Sequence, residues 1–480
     1  MIELTNGSDI MQLPDYKEAR KRTKEDVKKE FYEMNLDASS IGLNKTYHVK
    51  TYGCQMNEHD TENVEAMLEQ LGFTKEEDME KADVVILNTC SIRENAHNKA
   101  FGMLGRLKHI KEESNKNLII GLCGCMAQEE KVVSDIMKKY KYVNFVFGTH
   151  NIHRLPYILE ETIKTKKQVI EVYSREGNIV EGIPVKRANK FKAYVNIMYG
   201  CDKFCTYCIV PYTRGKQRSR DKDDIIKEVE RLVKEGYLEV TLLGQNVNAY
   251  GKDFEDNSYT MENLLEDVDK TGIKRVRFMT SHPWDFTDGM IDVIKKYPNI
   301  MPFVHLPVQS GSSKVLKLMG RRYTKEDYIK LFDKIKTIPN VSISTDIIVG
   351  FPSEEESDFE ETLDLVNYCK FDNAYTFIFS PRENTPAAKL EDKTTLKEKE
   401  ERLYRLNDIV NKYFLESNQR LLGKTVEVLV EGPSEKEGLL YGYTDTNKLI
   451  NFEGDPKYIG SIVEVEVTDA KTWSLDGKIK

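Results

Sequence analysis

Three short apolar runs early in the chain are each followed by a cysteine, and this placement constrains the fold more than any other feature. The runs Tyr47–Tyr52, Val84–Leu87 and Leu118–Leu122 read as buried strands, and Cys54, Cys90 and Cys125 follow them. The polar–apolar stretches between them read as helices, and Phe145–Phe147 reads as a further strand. Such alternation predicts a parallel sheet with helices on both faces. The cysteines recur at close to the roughly 30 residues of one βαβ unit, so the chain returns to the same sheet edge each time. Ligands of open parallel sheets bind beyond the carboxyl ends of the strands, where three thiols can converge on one point with no fourth thiol to close the set. A single strand-end cysteine reads as a buried, inert thiol; three in register do not. Cys123, two residues before Cys125, points the same way but deeper and reads as core, with ligation by Cys123 in place of Cys125 as the alternative. Cys369, at the end of the helical stretch Phe359–Tyr368, reads as a plain core thiol.

A second group of thiols is local. Cys201, Cys205 and Cys208 stand at the spacing C-x3-C-x2-C within the run Gly200–Cys208. Zinc and ordinary iron–sulfur sites take four ligands, so a triad suggests a cluster with one open corner; a zinc site is the alternative. The group follows the first of six expected strands: Ala193–Met198, Val240–Leu243, Val276–Met279, Phe303–Leu306, Ile343–Val349 and Tyr375–Phe379. Helices are expected between them at Asp224–Glu235, Met290–Tyr297, Lys325–Ile335 and Phe359–Tyr368. Six βα repeats predict a partial (β/α)6 barrel, TIM-like, with its chemistry at the carboxyl ends of the strands.

The 480 residues suit two to three domains. The expected divisions are an extension over 1–44, a parallel αβα sheet domain over 45–165, a barrel over 187–418 and a small domain over 420–480. A linker around Glu181–Lys190, with Gly182 and Pro184, separates the sheet domain from the barrel. Within the extension, Lys17 to Glu33 is charge-dense and reads as a solvated helix or partly disordered arm. In the tail, Val426–Val430, Leu439–Tyr443, Leu449–Phe452, Ile462–Val467 and Ser474–Ile479 alternate like five short strands of an antiparallel, OB-like barrel.

With 40% hydrophobic and 31% charged residues, the chain falls in the soluble globular class. No apolar stretch approaches the ~20 residues of a membrane span, and the first residues lack the pattern of a secretory signal. The expected location is cytoplasmic and reducing, where thiols serve metals or catalysis. The net charge of −8 does not advertise nucleic acid. Arg214, Lys216, Arg218 and Arg220 nevertheless follow the second cysteine group closely, and Arg275, Arg277, Arg321 and Arg322 lie near other strand ends. They predict a local cationic surface able to hold phosphates; solvated loop charges are the alternative.

The spacing of Cys201, Cys205 and Cys208, with Tyr207 before the last, resembles the radical S-adenosylmethionine (SAM) superfamily. The segments Thr51–Asn57, Asn88–Arg93, Gly124–Gln128 and Cys205–Gly215 resemble its methylthiotransferases. Lys203-Phe204, Pro211-Tyr212-Thr213 and Gly244–Tyr250 are most similar to the branch that modifies isopentenylated adenosine in tRNA. The tail resembles a TRAM domain, a small RNA-binding barrel, although seven lysines against eleven acids over 422–480 leave it acidic.

The resemblance implies a [4Fe–4S] cluster on Cys201, Cys205 and Cys208, whose open iron is chelated by the amino and carboxylate groups of SAM, and a second [4Fe–4S] cluster on Cys54, Cys90 and Cys125. One SAM would donate a methyl group to a sulfur and a second would give the 5′-deoxyadenosyl radical. The product would be a 2-methylthio group on an N6-dimethylallyl adenosine at position 37 of the tRNA anticodon loop. An external electron donor, a sulfur donor system and no membrane partner are expected. By position, Gly244, Gln245, Asn246, Ser310 and Asp346 are expected to contact SAM, and Arg214, Arg218, Arg220 and Arg322 to contact tRNA. The alternatives are action on threonylcarbamoyl-adenosine or a ribosomal-protein aspartate, or an RNA-binding iron–sulfur protein without catalysis.

Overall fold

The computed structural model describes residues 11–20, 27–34, 41–91, 94–256 and 258–480. Two compact units form. One holds the chain up to Ala188 with Tyr199–Phe204 and Cys208–Arg218; the other holds Asn189–Met198, Cys205–Tyr207 and Ser219–Lys480.

The first unit runs β1 (Met11–Gln12), α1 (Tyr16–Arg20), β2 (Lys29–Phe31), β3 (Thr46–Tyr52), α2 (Gln55–Gln70), β4 (Thr74–Lys75), β5 (Val84–Thr89) and α3 (Glu94–Glu113). It continues with β6 (Ile119–Cys123), α4 (Glu130–Lys139), β7 (Phe145–Phe147), α5 (Leu155–Thr165), β8 (Val169–Glu171) and β9 (Ile179–Glu181). Its main sheet has the order β1-β8-β7-β6-β5-β3-β4, and every pair is parallel. Strand β5 is buried throughout, as a central strand covered on both faces must be. Its alternate residues serve different cores. Val85 and Leu87 pack with Ala100, Leu104, Val132 and Ile136, whereas Val84 and Ile86 pack with Val64, Met67, Ile158 and Leu159. Period-two side-chain direction thus ties α3 and α4 to one face and α2 and α5 to the other.

One expectation for this region is corrected. The arm before Thr46 supplies strands: β1 pairs with β8 and β2 with β9. Edge pairing is made by backbone groups, so the exposed, charge-rich β2 needs no apolar pattern to form. The segment expected as a linker does carry the division between the units, at Ala188 and Asn189, and it is fastened down. Arg187 Nη1 lies 3.2 Å from Glu62 Oε2, and Ala188 N donates to Glu62 Oε1 at 2.9 Å.

The second unit contributes β10 (Lys192–Asn196); β11 (Met198–Tyr199), α6 (Val210–Thr213) and β12 (Arg218–Ser219) bracket and follow the cysteine loop. Then come α7 (Lys222–Lys234), β13 (Glu239–Leu243), α8 (Met261–Lys270), β14 (Arg275–Phe278), α9 (Asp288–Lys296), β15 (Phe303–His305), α10 (Ser313–Leu318), α11 (Lys325–Ile335), β16 (Ser342–Val349), α12 (Glu356–Cys369), β17 (Asn373–Ile378) and α13 (Leu396–Gln419). The six expected barrel strands form two parallel runs, β10-β13-β14 and β15-β16-β17, and a parallel bridge joins Val276 to Ile300. Helix α7 shows how the repeats are built. Asp221 caps it by accepting from Asp223 N and Asp224 N, and Ile225, Val229 and Leu232 share its buried face. Each such burial contributes roughly 1.5–3 kcal/mol. Sequence periodicity overlooked the 24-residue α13, although Thr395 and Glu398 form a capping box at its start.

The tail closes a five-stranded barrel from β18 (Thr425–Pro433), β19 (Leu439–Thr444), β20 (Leu449–Glu453), β21 (Ile462–Ala470) and β22 (Leu475–Ile479), in the order β18-β19-β20-β22-β21. It is not wholly antiparallel as expected: β20 and β22 run parallel. An odd number of strands in a closed ring cannot alternate direction throughout, so one neighbouring pair must be parallel. The barrel is anchored on β14. Arg275, fully buried, donates to Tyr443 O and Glu427 O, both at 3.0 Å. Arg277 donates to Thr444 O at 2.6 Å, to Asp445 O at 2.9 Å and to Glu239 Oε1 at 3.0 Å. These two cations, expected on a phosphate-binding surface, instead satisfy strand-end carbonyls.

Candidate metal centre

The thiols of Cys54, Cys90 and Cys125 are gathered by neighbouring strands. In the β3–β5 and β5–β6 registers Tyr52 stands beside Thr89 and Asn88 beside Cys123, so all three strands end at one level. Cys90 N donates to Tyr52 O at 2.8 Å. Asn88 locks the level from within, its Nδ2 donating to Asn57 O at 2.8 Å and Thr61 Oγ1 at 2.9 Å while its Oδ1 accepts from Asn57 Nδ2 at 3.1 Å. Gly124 has φ of 90°, and a Cβ there would meet Asn88 Oδ1 at 2.4 Å and Thr89 O at 2.6 Å. Only glycine fits that turn, which delivers Cys125. Cys123 packs in the core with Phe145 and Val64, and burial pushes its thiol well above the ordinary range.

Arg214, which is buried, completes this end of the sheet. Its Nε donates to Cys125 Sγ at 3.2 Å and its Nη2 to Asp60 Oδ2 at 2.6 Å. Burial works against the charge, but Asp60, Cys125 and Cys54 outweigh it and keep the guanidinium protonated. A hydrogen bond from Cys90, opposed by burial and aided by Arg214, brings the Cys54 thiol down to about 6. Burial raises Cys125 against the pull of Arg214. The Ser91 hydroxyl, beside Cys90, is buried without a partner. Three convergent soft donors, a fixed cation and an unsatisfied hydroxyl suit an anionic iron–sulfur cluster. Among the described residues no three His, Cys, Asp or Glu side chains close on a single-ion site; a four-iron cube spaces its thiolates more widely than one ion does.

In the loop carrying the second group, Cys201 and Cys205 are buried and Cys208 is half-buried. Cys201 N donates to Gly215 O at 3.1 Å, and Lys203 N approaches Cys201 Sγ at 3.4 Å. Thr206 is pinned by its N to Met319 O and by its hydroxyl to Leu318 O. Buried Arg321 donates to Cys205 Sγ at 3.4 Å and to Pro307 O at 2.9 Å. Each cysteine group therefore has one buried arginine on a thiol sulfur. This arrangement corrects the expected cationic surface. Arg214 and Arg321 turn inward, Arg218 donates to Gly177 O at 2.8 Å, and Arg220 pairs with Glu228 at 3.0 Å; all four are buried, whereas Arg322 is exposed.

Residues 46–148 match the family described as Uncharacterized protein family UPF0004, 195–366 the Radical SAM superfamily and 419–480 the TRAM domain. A tRNA-2-methylthio-N6-dimethylallyladenosine synthase of Oceanobacillus iheyensis is 55% identical over 97% of this chain and 90% of that protein. One of the same name from Bacillus mycoides is 54% identical over 98% of this chain and 93% of that protein. The chain belongs to the tRNA-2-methylthio-N6-dimethylallyladenosine synthases. The fold is also similar to that of a radical S-adenosylmethionine methyltransferase, TsrM, of Kitasatospora setae, with a TM-score of 0.51 and 13% identity over 72% of this chain and 77% of that one.

As a radical SAM protein, this synthase requires a [4Fe–4S] cluster and SAM, and its barrel offers a polar cradle for the latter. At the carboxyl ends of β10, β13 and β14 four side-chain oxygens, Asn196 Oδ1, Gln245 Oε1, Asn246 Oδ1 and Ser281 Oγ, are buried without a hydrogen-bond partner. Such atoms are costly unless a ligand satisfies them. Gln245 and Asn246 were expected here; Asn196 and Ser281 were not, though a polar residue at a strand's carboxyl end was the available signal. Gly244 lies where a Cβ would meet Met198 Cγ at 2.5 Å. The other two expected SAM residues have partners within the fold. Ser310 Oγ lies 3.4 Å from Thr362 Oγ1, and Asp346 Oδ2 lies 3.5 Å from His305 Nε2.

Proposed function

We propose that this chain methylthiolates C2 of N6-dimethylallyladenosine at position 37 of tRNA, with Cys201, Cys205 and Cys208 holding the cluster that binds SAM and Cys54, Cys90 and Cys125 holding a second one. The chain is a radical SAM tRNA methylthiotransferase that takes N6-dimethylallyladenosine to its 2-methylthio form. The observation that carries the two-cluster reading is the convergence of Cys54, Cys90 and Cys125 at one level of the sheet beside Arg214.

When bound, the clusters would supply the electron that cleaves SAM to the 5′-deoxyadenosyl radical and the sulfur that is transferred. The chain's residues then have separable tasks. Asn196, Gln245, Asn246 and Ser281 present the unsatisfied oxygens that a methionine ammonium group and ribose hydroxyls require. Burial of Cys201 and Cys205 keeps bulk solvent away from the place where SAM would be cleaved. Arg214 and Arg321 each set a fixed positive charge against a thiolate. The C-terminal barrel, fixed to β14 by Arg275 and Arg277, offers a rigid platform for RNA despite its acidic balance. An external electron donor and sulfur donor complete the reaction, in a reducing cytoplasm. No helix among the described residues is long and apolar enough to cross a membrane.

Anaerobically reconstituted protein is expected to hold about eight irons, four per triad. Mass spectrometry of nucleosides from treated tRNA tests the substrate. Isopentenylated tRNA gains a methylthio group and unmodified tRNA does not; equal turnover of both, or product on threonylcarbamoyl-adenosine, contradicts the reading.

A further inference from the structure

Beyond the carboxyl end of β14, a cavity of about 230 Å³ opens between the turn Pro283–Phe286 and the start of α11. It lies below the roughly 300–1,000 Å³ typical of drug-sized ligand sites, which suits a single nucleobase. Trp284, Phe286, Tyr323 and Tyr328 supply its aromatic surface and Arg322 its only cation. Trp284 is 53% exposed, an unusual position for the largest apolar side chain. Arg322 is exposed and adopts φ of 56°, a left-handed conformation uncommon for a residue other than glycine.

Both walls lie one residue from the candidate centre's own groups. On one wall Asp285, next to Trp284, accepts from Asn246 Nδ2 at 2.7 Å and from Lys252 Nζ at 2.6 Å. On the other, Arg321, next to Arg322, reaches Cys205 Sγ. His282 joins the two, its Nδ1 accepting from Trp284 N at 3.2 Å and its ring packing edge-on against Tyr323 at 6.0 Å. The one carboxylate on the rim, Asp327, accepts from Thr324 N and Oγ1, both at 3.1 Å, and its Oδ1 lies 4.0 Å from Lys330 Nζ, so the cation it approaches is Lys330 and not Arg322.

We propose that this cavity is a subsite for one unstacked base of the tRNA anticodon loop, a neighbour of the target adenosine, with the base on Trp284 and its phosphate at Arg322. Single-stranded RNA is recognised in this way: any base has a π-face for an aromatic side chain, and a nearby arginine meets the backbone. A subsite here would hold the loop open while the target base enters the centre. The inference rests on the tRNA reading above.

The chain has two tryptophans, Trp284 and Trp473, so a Trp473→Phe protein reports fluorescence from Trp284 alone. Titration of that full-length protein with an anticodon stem-loop RNA is expected to quench its emission. In binding assays Trp284→Ala should weaken affinity roughly tenfold, with Trp284→Phe restoring most of it. Arg322→Ala should weaken binding and lower the salt slope by about one, and thermal melts check that each variant is folded. The subsite is overturned if folded Trp284→Ala and Arg322→Ala proteins bind as the parent does. It is overturned equally if Trp284→Ala loses affinity only for isopentenylated RNA, since the cavity would then hold the prenyl group. If the parent itself neither binds nor methylthiolates isopentenylated tRNA, the tRNA reading fails instead, and the two failures are distinguishable.

Discussion

Cys54, Cys90 and Cys125 come together only because three neighbouring strands end at one level, whereas Cys201, Cys205 and Cys208 lie within eight residues of one loop. The first group is a product of the whole sheet and the second of local sequence. Yet each acquires the same accessory, a buried arginine on a thiol sulfur, Arg214 at Cys125 and Arg321 at Cys205. Hydrogen bonds and charge near cluster sulfurs set reduction potential, so the recurrence points to a shared electrostatic need met by two constructions.

The comparison breaks most visibly at the ligands. Cys201→Ala should abolish 5′-deoxyadenosine formation while leaving about four irons bound at the sheet triad, read by iron assay and product chromatography. The arginines come next. Arg214→Met leaves Asp60 without its partner in a nearly dry site and should cost about 3–5 kcal/mol in denaturant unfolding. Arg321→Met instead removes the 2.9 Å donor to the buried carbonyl Pro307 O, which keeps only the longer bond from Tyr323 OH at 3.4 Å, and should cost about 1–3 kcal/mol. In reconstituted protein each substitution should move the midpoint potential of its own cluster to a more negative value, because a nearby cation favours the reduced, more negative form. Two further substitutions separate sheet from loop. Gly124→Ala forces a side chain into a φ of 90° against Asn88 and should cost about 1–3 kcal/mol with loss of sheet-bound iron. Phe204→Ala, which removes a half-exposed ring packed on Tyr212, should change stability by less than about 1 kcal/mol.

What sequence made legible follows the same division. The six cysteines and the barrel strands stood out because spacing and periodicity are local properties. The arginines were visible as charges but misplaced as a surface, since Asp60 lies 154 residues before Arg214 and Cys205 lies 116 before Arg321. Only the folded chain shows which cations turn inward. Strands β1 and β2 were hidden because edge pairing uses backbone groups and leaves little side-chain pattern. The parallel pair β20–β22 follows from closure of an odd ring, a constraint on the assembled barrel rather than on any one strand. Asn196 and Ser281 were passed over because a lone polar residue at a strand end gains meaning only when its oxygen proves buried and unsatisfied.

If the two cysteine groups hold separate centres with separate tasks, loss of one must spare the work of the other. The most direct test is the triple variant Cys54→Ala, Cys90→Ala and Cys125→Ala, reconstituted anaerobically and incubated with SAM, a chemical reductant and isopentenylated tRNA, with both products quantified. Formation of 5′-deoxyadenosine should continue and no 2-methylthio nucleoside should appear. Methylthiolated tRNA from that variant would contradict that separation.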